Sequence, residues 1–323
     1  ITSVRDFEKN TMGTVEMREM PMPEPAEDEV RIKIIYSSIC GSDAHTLTGH
    51  LGEFEEGTKA MLPMTFGHEL SGVIDKVGPK AEALGYHVGD KVIANYAKYC
   101  YACDNCRSGH ENLCSHVQFC MNGFAEYAVY HVIALAAAEQ AHITYAKPVA
   151  IMGAGGIGLM LVQLARLAGA SCVTVFDLVE EKCELAKQLG ADYAFDPRKE
   201  GALEEAMKVA GGAYDCVLEG TGVVSSAENA LKLLARNGDG VYFAMYGKDP
   251  YLQVNLHTDF YWDQKHLHGV IMGAGLFPKA IKLAPRVNLK ALIQKEHPLS
   301  RYQDAFADLY TKKYAKIVIK MDE

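Results

Sequence analysis

The chain has 323 residues, a net charge of −9 and 49% hydrophobic residues. That length implies two cores, no apolar run reaches the ~18 residues a membrane helix needs, and the acidity disfavours nucleic acid as a partner. Nine cysteines, an odd number, fit a reducing compartment better than a disulfide framework; no charged-then-apolar leader follows Ile1, so the default expectation is cytoplasmic.

Residues 1 to about 130 read as short strands punctuated by turns. Alternation of apolar and polar residues predicts half-buried strands at Glu29–Tyr36, Ser71–Val77 and Asp90–Ala94. From about 149 the rhythm becomes strand then helix. Val149–Met152 is a strand running into a glycine turn, Leu159–Ala168 a helix, Ser171–Phe176 a β-branched strand, and Glu180–Leu189 a helix closed by Gly190. Asp215–Leu218 and Gly240–Ala244 are further strands, the stretch Asp263–Met272 is strand-like, and Ala315–Lys320 ends the chain as another. Strands alternating with helices imply a parallel, doubly wound sheet.

Cys100, Cys103, Cys106 and Cys114 fall within fifteen residues. That spacing lets one irregular lobe set four thiolates at the corners of a tetrahedron, the arrangement Zn²⁺ prefers. With every position filled by sulfur, such a site holds a lobe in shape and does no chemistry. Disulfides and an iron–sulfur cluster are the competing readings. A ferredoxin-type cluster usually has Pro after its last Cys, and here Ser115 follows.

Gly153-Ala-Gly155-Gly156-Ile157-Gly158 follows a predicted strand and opens a predicted helix. Gly153 permits the tight turn, Gly155 lets a pyrophosphate approach the backbone, and Gly158 lets helix pack on strand. The helix N-terminus offers N–H groups and a positive dipole end to phosphates. Asp177, nineteen residues after Gly158, is placed to accept hydrogen bonds from the adenosine ribose and to repel a 2′-phosphate. No Arg follows it in Leu178–Glu181, which favours NAD over NADP.

Upstream stand Cys40-Gly-Ser42-Asp43-Ala-His45 and Gly67-His68-Glu69. A thiolate, an imidazole and a carboxylate are a plausible open zinc set, although their spacing alone is weak. A lone Cys is commonly a small buried hydrophobe. His110, His116, His257, His266 and His268 carry no ligand spacing and read as surface histidines.

Taken together, these segments resemble the zinc-dependent medium-chain dehydrogenase/reductase family, the alcohol and sorbitol dehydrogenases, in its polyol branch. Gly67-His-Glu-Leu-Ser-Gly72, Phe124-Ala-Glu-Tyr127, Leu189-Gly-Ala-Asp192 and Glu219-Gly-Thr-Gly222 extend the match along nearly the whole chain. The resemblance implies an α/β protein: a GroES-like β-rich catalytic domain from residues 1–132 and 281–323, and a Rossmann doubly wound parallel-sheet domain from 133–280. It implies Cys40, His68 and Glu69 at a catalytic zinc, Asp43 behind the liganding His, Ser42 taking the substrate proton and His45 passing it outward. It also implies structural zinc on the four-cysteine lobe, NAD, an alcohol or polyol substrate, and a homodimer or homotetramer. Threonine and butanediol dehydrogenases share the same metal frame, and Phe54 and Glu53 are pocket-lining candidates.

One departure stands out. The polyol branch usually carries a further zinc-ligating Glu, in a Glu-Pro pair, between the FAEY motif and the glycine turn. Only 25 residues separate Tyr127 from Gly153 and no Glu-Pro pair occurs among them, roughly twenty fewer than expected. The spacing reads as a segment missing from the sequence near Val132 and Ile133 rather than a deletion in the natural protein. The position of Glu139 argues against its being the replacement. A protein that kept the fold and binds NAD without turnover is the alternative this departure favours, and retention of Cys40, Asp43, His68 and Glu69 counts against a zinc-free reductase.

Overall fold

The computed structural model describes residues 13–19, 22–48, 62, 67–119, 123, 142–247, 250–273 and 275–321. The FAEY motif, Glu53, Phe54, Glu139 and the Val132–Ile133 junction lie outside the described residues. The chain forms two compact units: residues 1–98, 117–129 and 293–323 make the first, and 99–116 with 130–292 make the second.

The first unit is built on a five-stranded sheet ordered β12-β13-β1-β2-β3. Its strands are β1 (Val30–Ser38), β2 (Glu69–Val77), β3 (Lys91–Ile93), β12 (Ile293–Pro298) and β13 (Lys316–Lys320), and a separate antiparallel pair joins β4 (Ala97–Lys98) to β5 (Gln118–Phe119). β1 runs two residues past its expected end because it is paired on both sides, Ser38 lying opposite Glu69 of β2 and Val318 of β13. Helix α1 (Gly41–Thr48) leaves the end of β1. Ile39 and Leu47 pack there with Phe306, Ile317 and Ile319 in one core cluster.

The second unit holds a six-stranded sheet ordered β8-β7-β6-β9-β10-β11, all of its pairs parallel. The strands are β6 (Pro148–Met152), β7 (Cys172–Phe176), β8 (Tyr193–Phe195), β9 (Tyr214–Glu219), β10 (Leu234–Tyr242) and β11 (His266–Gly269). This is the doubly wound order in which the chain turns back between β6 and β9, and ligands bind beyond the carboxyl ends of the strands at that point. All five residues of β7 are buried, as expected for a strand covered on both faces. Helices Gly156–Leu167 and Glu180–Gln188 lie where periodicity puts them, the first opening three residues earlier than expected, inside the glycine turn. Helices Ala202–Ala210 and Val224–Leu233, which the sequence reading leaves unassigned, cover the sheet as well. Among the described residues, no helix is long and apolar enough to cross a membrane.

Candidate metal and nucleotide sites

Register assembles the first site. In the β1–β2 pairing Ser38 faces Glu69, so Cys40, just beyond β1, and His68, just before β2, meet at one sheet end. Gly67 precedes His68 with φ +84°, a left-handed turn that suits glycine. Across β1's other edge, Ile39 N–H donates to Ile317 O at 3.0 Å, which carries Lys316 to the same end. Donor atoms of Cys40, His68 and Glu69 all lie within 4.8 Å of one another.

Asp43 organises the cluster. It is 1% exposed, its Oδ2 accepts the Cys40 N–H at 2.8 Å, and its Oδ1 lies 3.3 Å from His68 Nδ1. Neither Oδ1 nor Nδ1 makes an aligned hydrogen bond. Facing a carboxylate with Nδ1 leaves Nε2 on the other side of the ring, 3.3 Å from Ser42 Oγ. A carboxylate behind a histidine in this way fixes its tautomer and raises its basicity as a ligand. Burial alone pushes the His68 imidazole down, but contacts with Asp43 and Cys40 outweigh it and raise its pKa from 6.5 to about 11. The pocket therefore stabilises positive charge on or beside that ring, which is what a metal cation supplies.

Glu69 is 4% exposed and its Oε2 sits 2.5 Å from Lys316 Nζ. Burial lowers the lysine pKa, but Glu69 and Cys40 prevail and raise it. In a metal-bound state, where half-buried Cys40 binds as thiolate and His68 as neutral imidazole, Cys40, Asp43 and Glu69 stand against Lys316, and a dication brings the set to balance. Buried charges persist only when so paired, and the donor set fits zinc. Lys316 is the residue that sequence reasoning misses. Its only signal is a strand-like tail, because nothing local tells that tail which strand it will pair with. Tyr96 is a second, its ring 5.0 Å from that of His68 and stacked on Phe119. His45 lies one turn beyond Ser42 on α1.

The four-cysteine lobe belongs to the second unit. Cys114 Sγ is 3.5 Å from Cys100 Sγ and 4.0 Å from Cys103 Sγ, and Cys100 is 3.9 Å from Cys106. Four sulfurs about 2.3 Å from one zinc stand about 3.8 Å apart, so the lobe fits a single tetrahedral ion. None of the four is disulfide-bonded. Backbone N–H groups of Cys103 and Ala102 point at Cys100 Sγ, at 3.3 and 3.4 Å. Amides from Cys106 and Ser115 hold the Cys103 thiol down to about 6, favouring the thiolate that metal binding needs.

At the nucleotide site Gly153 has φ +99°, and a Cβ on Gly158 would fall 1.8 Å from the Gly153 carbonyl oxygen. A Cβ on Gly155 would meet nothing within 4 Å, so the chain leaves that side open for a ligand. Gly156 and Ile157 begin the helix, whose N-terminus no side chain caps. Asp177 ties the pieces together: Oδ2 accepts from Ala154 N–H at 2.7 Å and Oδ1 from Val179 N–H at 2.9 Å. Each oxygen keeps a further lone pair for a ribose hydroxyl. The fold also brings up an arginine that the local sequence does not show. Arg198 Nη2 donates to Leu178 O at 3.1 Å, but the guanidinium is held by Asp196, whose carboxyl it keeps down to about 2.

Comparison with known proteins agrees with this geometry. Residues 26–139 match the alcohol dehydrogenase GroES-like domain and residues 156–286 the zinc-binding dehydrogenase domain. The (R,R)-butanediol dehydrogenase of Saccharomyces cerevisiae is 32% identical, over 72% of this chain and 74% of that protein. Sorbitol dehydrogenase of Bacillus subtilis is 28% identical over 90% and 89%. A solved chain from Clostridium scindens, described as a zinc-binding dehydrogenase, is 62% identical with a TM-score of 0.95, covering 100% of this chain and 98% of its own. The chain belongs to the zinc-dependent medium-chain dehydrogenase/reductase family, in its polyol branch.

Proposed function

We propose that the protein oxidises a secondary alcohol, a polyol or sugar alcohol, to the ketone with NAD as acceptor, and that Cys40, His68 and Glu69 hold the catalytic zinc. The observation that carries this is the convergence of half-buried Cys40 with buried His68 and Glu69, backed by Asp43 and Lys316, a donor set that suits a dication. Curated relatives include sorbitol, butanediol, D-arabitol-phosphate and threonine dehydrogenases. When bound, zinc supplies Lewis acidity that makes an alcohol proton easier to remove, and the nicotinamide accepts hydride. Ser42 Oγ, beside the His68 ring, takes that proton, and His45 one turn along the helix hands it to solvent. Asp43 keeps His68 in one tautomer. Gly153–Gly158 and the helix N-terminus cradle the pyrophosphate, and Asp177 holds the ribose and disfavours a 2′-phosphate. Cys100, Cys103, Cys106 and Cys114 hold structural zinc. This reading divides the chain into a catalytic domain, 1–132 with 281–323, and a nucleotide-binding domain, 133–280.

The test is NADH formation against a panel of polyols, vicinal diols and threonine, before and after chelation. Turnover with one class, lost on chelation and restored by Zn²⁺, names the substrate class. NAD binding without turnover on any of them would replace this reading with a non-catalytic one. A cytoplasmic homodimer or homotetramer is part of the proposal. It is supported by eight described cysteines with no disulfide among them and by exposed Leu256, Tyr261 and Trp262; light scattering after gel filtration gives the mass.

A further inference from the structure

Three ligand-bearing side chains converge in the second unit, none of them a member of either zinc set. His142 precedes β6, Asp239 lies on β10 and His268 on the edge strand β11. Their separations in sequence are long, so no motif announces them. Asp239 Oδ1 is the focus, 2.9 Å from His268 Nε2 and 3.4 Å from His142 Nδ1. One ligand atom from each of the three lies within 4.8 Å of the others.

Two imidazoles directed at one carboxylate oxygen make an expensive arrangement unless a proton or a metal lies between. The carboxylate is committed, since Asp239 is only 7% exposed. On its far side Lys147 Nζ lies 3.8 Å from Oδ2, anchoring that oxygen and leaving Oδ1 to the histidines. The His266 ring stacks 6.3 Å from His268 and is occupied with Asn237 Oδ1 at 3.2 Å. Around an ion with bonds of about 2.1 Å, tetrahedral ligands stand about 3.4 Å apart. The His142 edge already has that length, and the His268 edge must open by a few tenths of an ångström. Both rings would then carry their proton on the outer nitrogen and present a lone pair inward. With the His142 side chain 62% exposed, a fourth position faces water.

We propose that His142, Asp239 and His268 form a third metal site, taking a borderline divalent transition ion such as Zn²⁺ through two imidazoles and one carboxylate. The ion ties the entry to β6 and the edge strand β11 to β10. This site is independent of the reaction proposed above.

The test is equilibrium dialysis of the full chain, loaded at its thiolate-bearing sites, against graded zinc, with metal counted by atomic emission. One additional zinc per chain is expected. It should weaken by at least about tenfold in His142→Ala and in Asp239→Asn, the order seen when even an outer partner of a metal ligand is removed. His268→Ala should lose it while alcohol turnover and the cysteine-bound zinc persist. Co²⁺ added to the loaded protein should give weak visible bands without thiolate charge transfer. Equal zinc in native protein and in both histidine variants, or cobalt bands carrying thiolate charge transfer, would overturn the proposal. Because His142 is on the surface, its variant keeps the test valid even where His268→Ala folds poorly. Normal turnover with no extra zinc would refute this site and leave the proposed reaction standing.

Discussion

Replacing Lys316 by methionine removes a cation of similar length and leaves the Glu69 carboxylate in place. The pair is sequestered, with side chains 13% and 5% exposed and 2.5 Å between charges. Removing one partner of such a pair costs roughly 3–5 kcal/mol, because the remaining charge stays desolvated. At a urea slope of roughly 1–3 kcal/mol/M, the zinc-free protein should lose at least about 1 M from its unfolding midpoint. The zinc-loaded protein should lose clearly less, since the ion gives Glu69 another cation to face. The double variant Glu69→Gln/Lys316→Met, with neither charge, should be more stable than Lys316→Met alone. Urea unfolding followed by circular dichroism, on four proteins with and without zinc, measures the coupling. Equal losses with and without zinc, or additive effects in the double variant, would refute the idea that Lys316 balances the metal cluster.

Gly155→Ala should fold normally, because a Cβ there touches nothing within 4 Å, yet bind NAD at least about tenfold more weakly by filling the space meant for the pyrophosphate; calorimetry reads both. In the metal-free protein burial pushes the His68 pKa down, but the contacts with Asp43 and Cys40 outweigh it and push the pKa up from 6.5 to about 11. A raised folded-state pKa contributes stability that is complete below the unfolded value and is lost as pH rises towards the folded one. Urea midpoints of metal-free protein should therefore fall between about pH 7 and about pH 10, and His68→Gln should flatten that fall. Zinc-loaded protein should not show it, because the ion replaces the proton. Cys103→Ser should release the structural zinc and make residues 99–116 sensitive to protease, while NAD binding persists.

Two features were legible before any folding was known. The four cysteines lie within fifteen residues and the glycine turn within six, so their geometry depends on bonds along a short chain and survives in the spacing itself. Strand and helix alternation likewise gave the parallel sheet, because burial on both faces leaves an apolar run that periodicity detects. The resemblance placed Cys40, His68 and Asp43 together, where spacing alone was silent. What only the tertiary structure decided is which distant groups meet: Lys316 with Glu69, Arg198 with the Leu178 carbonyl, His142 with Asp239 and His268. Alternation tells which face a strand residue occupies, but not which strand lies alongside or in what register. Register, fixed by the packing of whole sheets, sets these contacts, so no local stretch of sequence contains them.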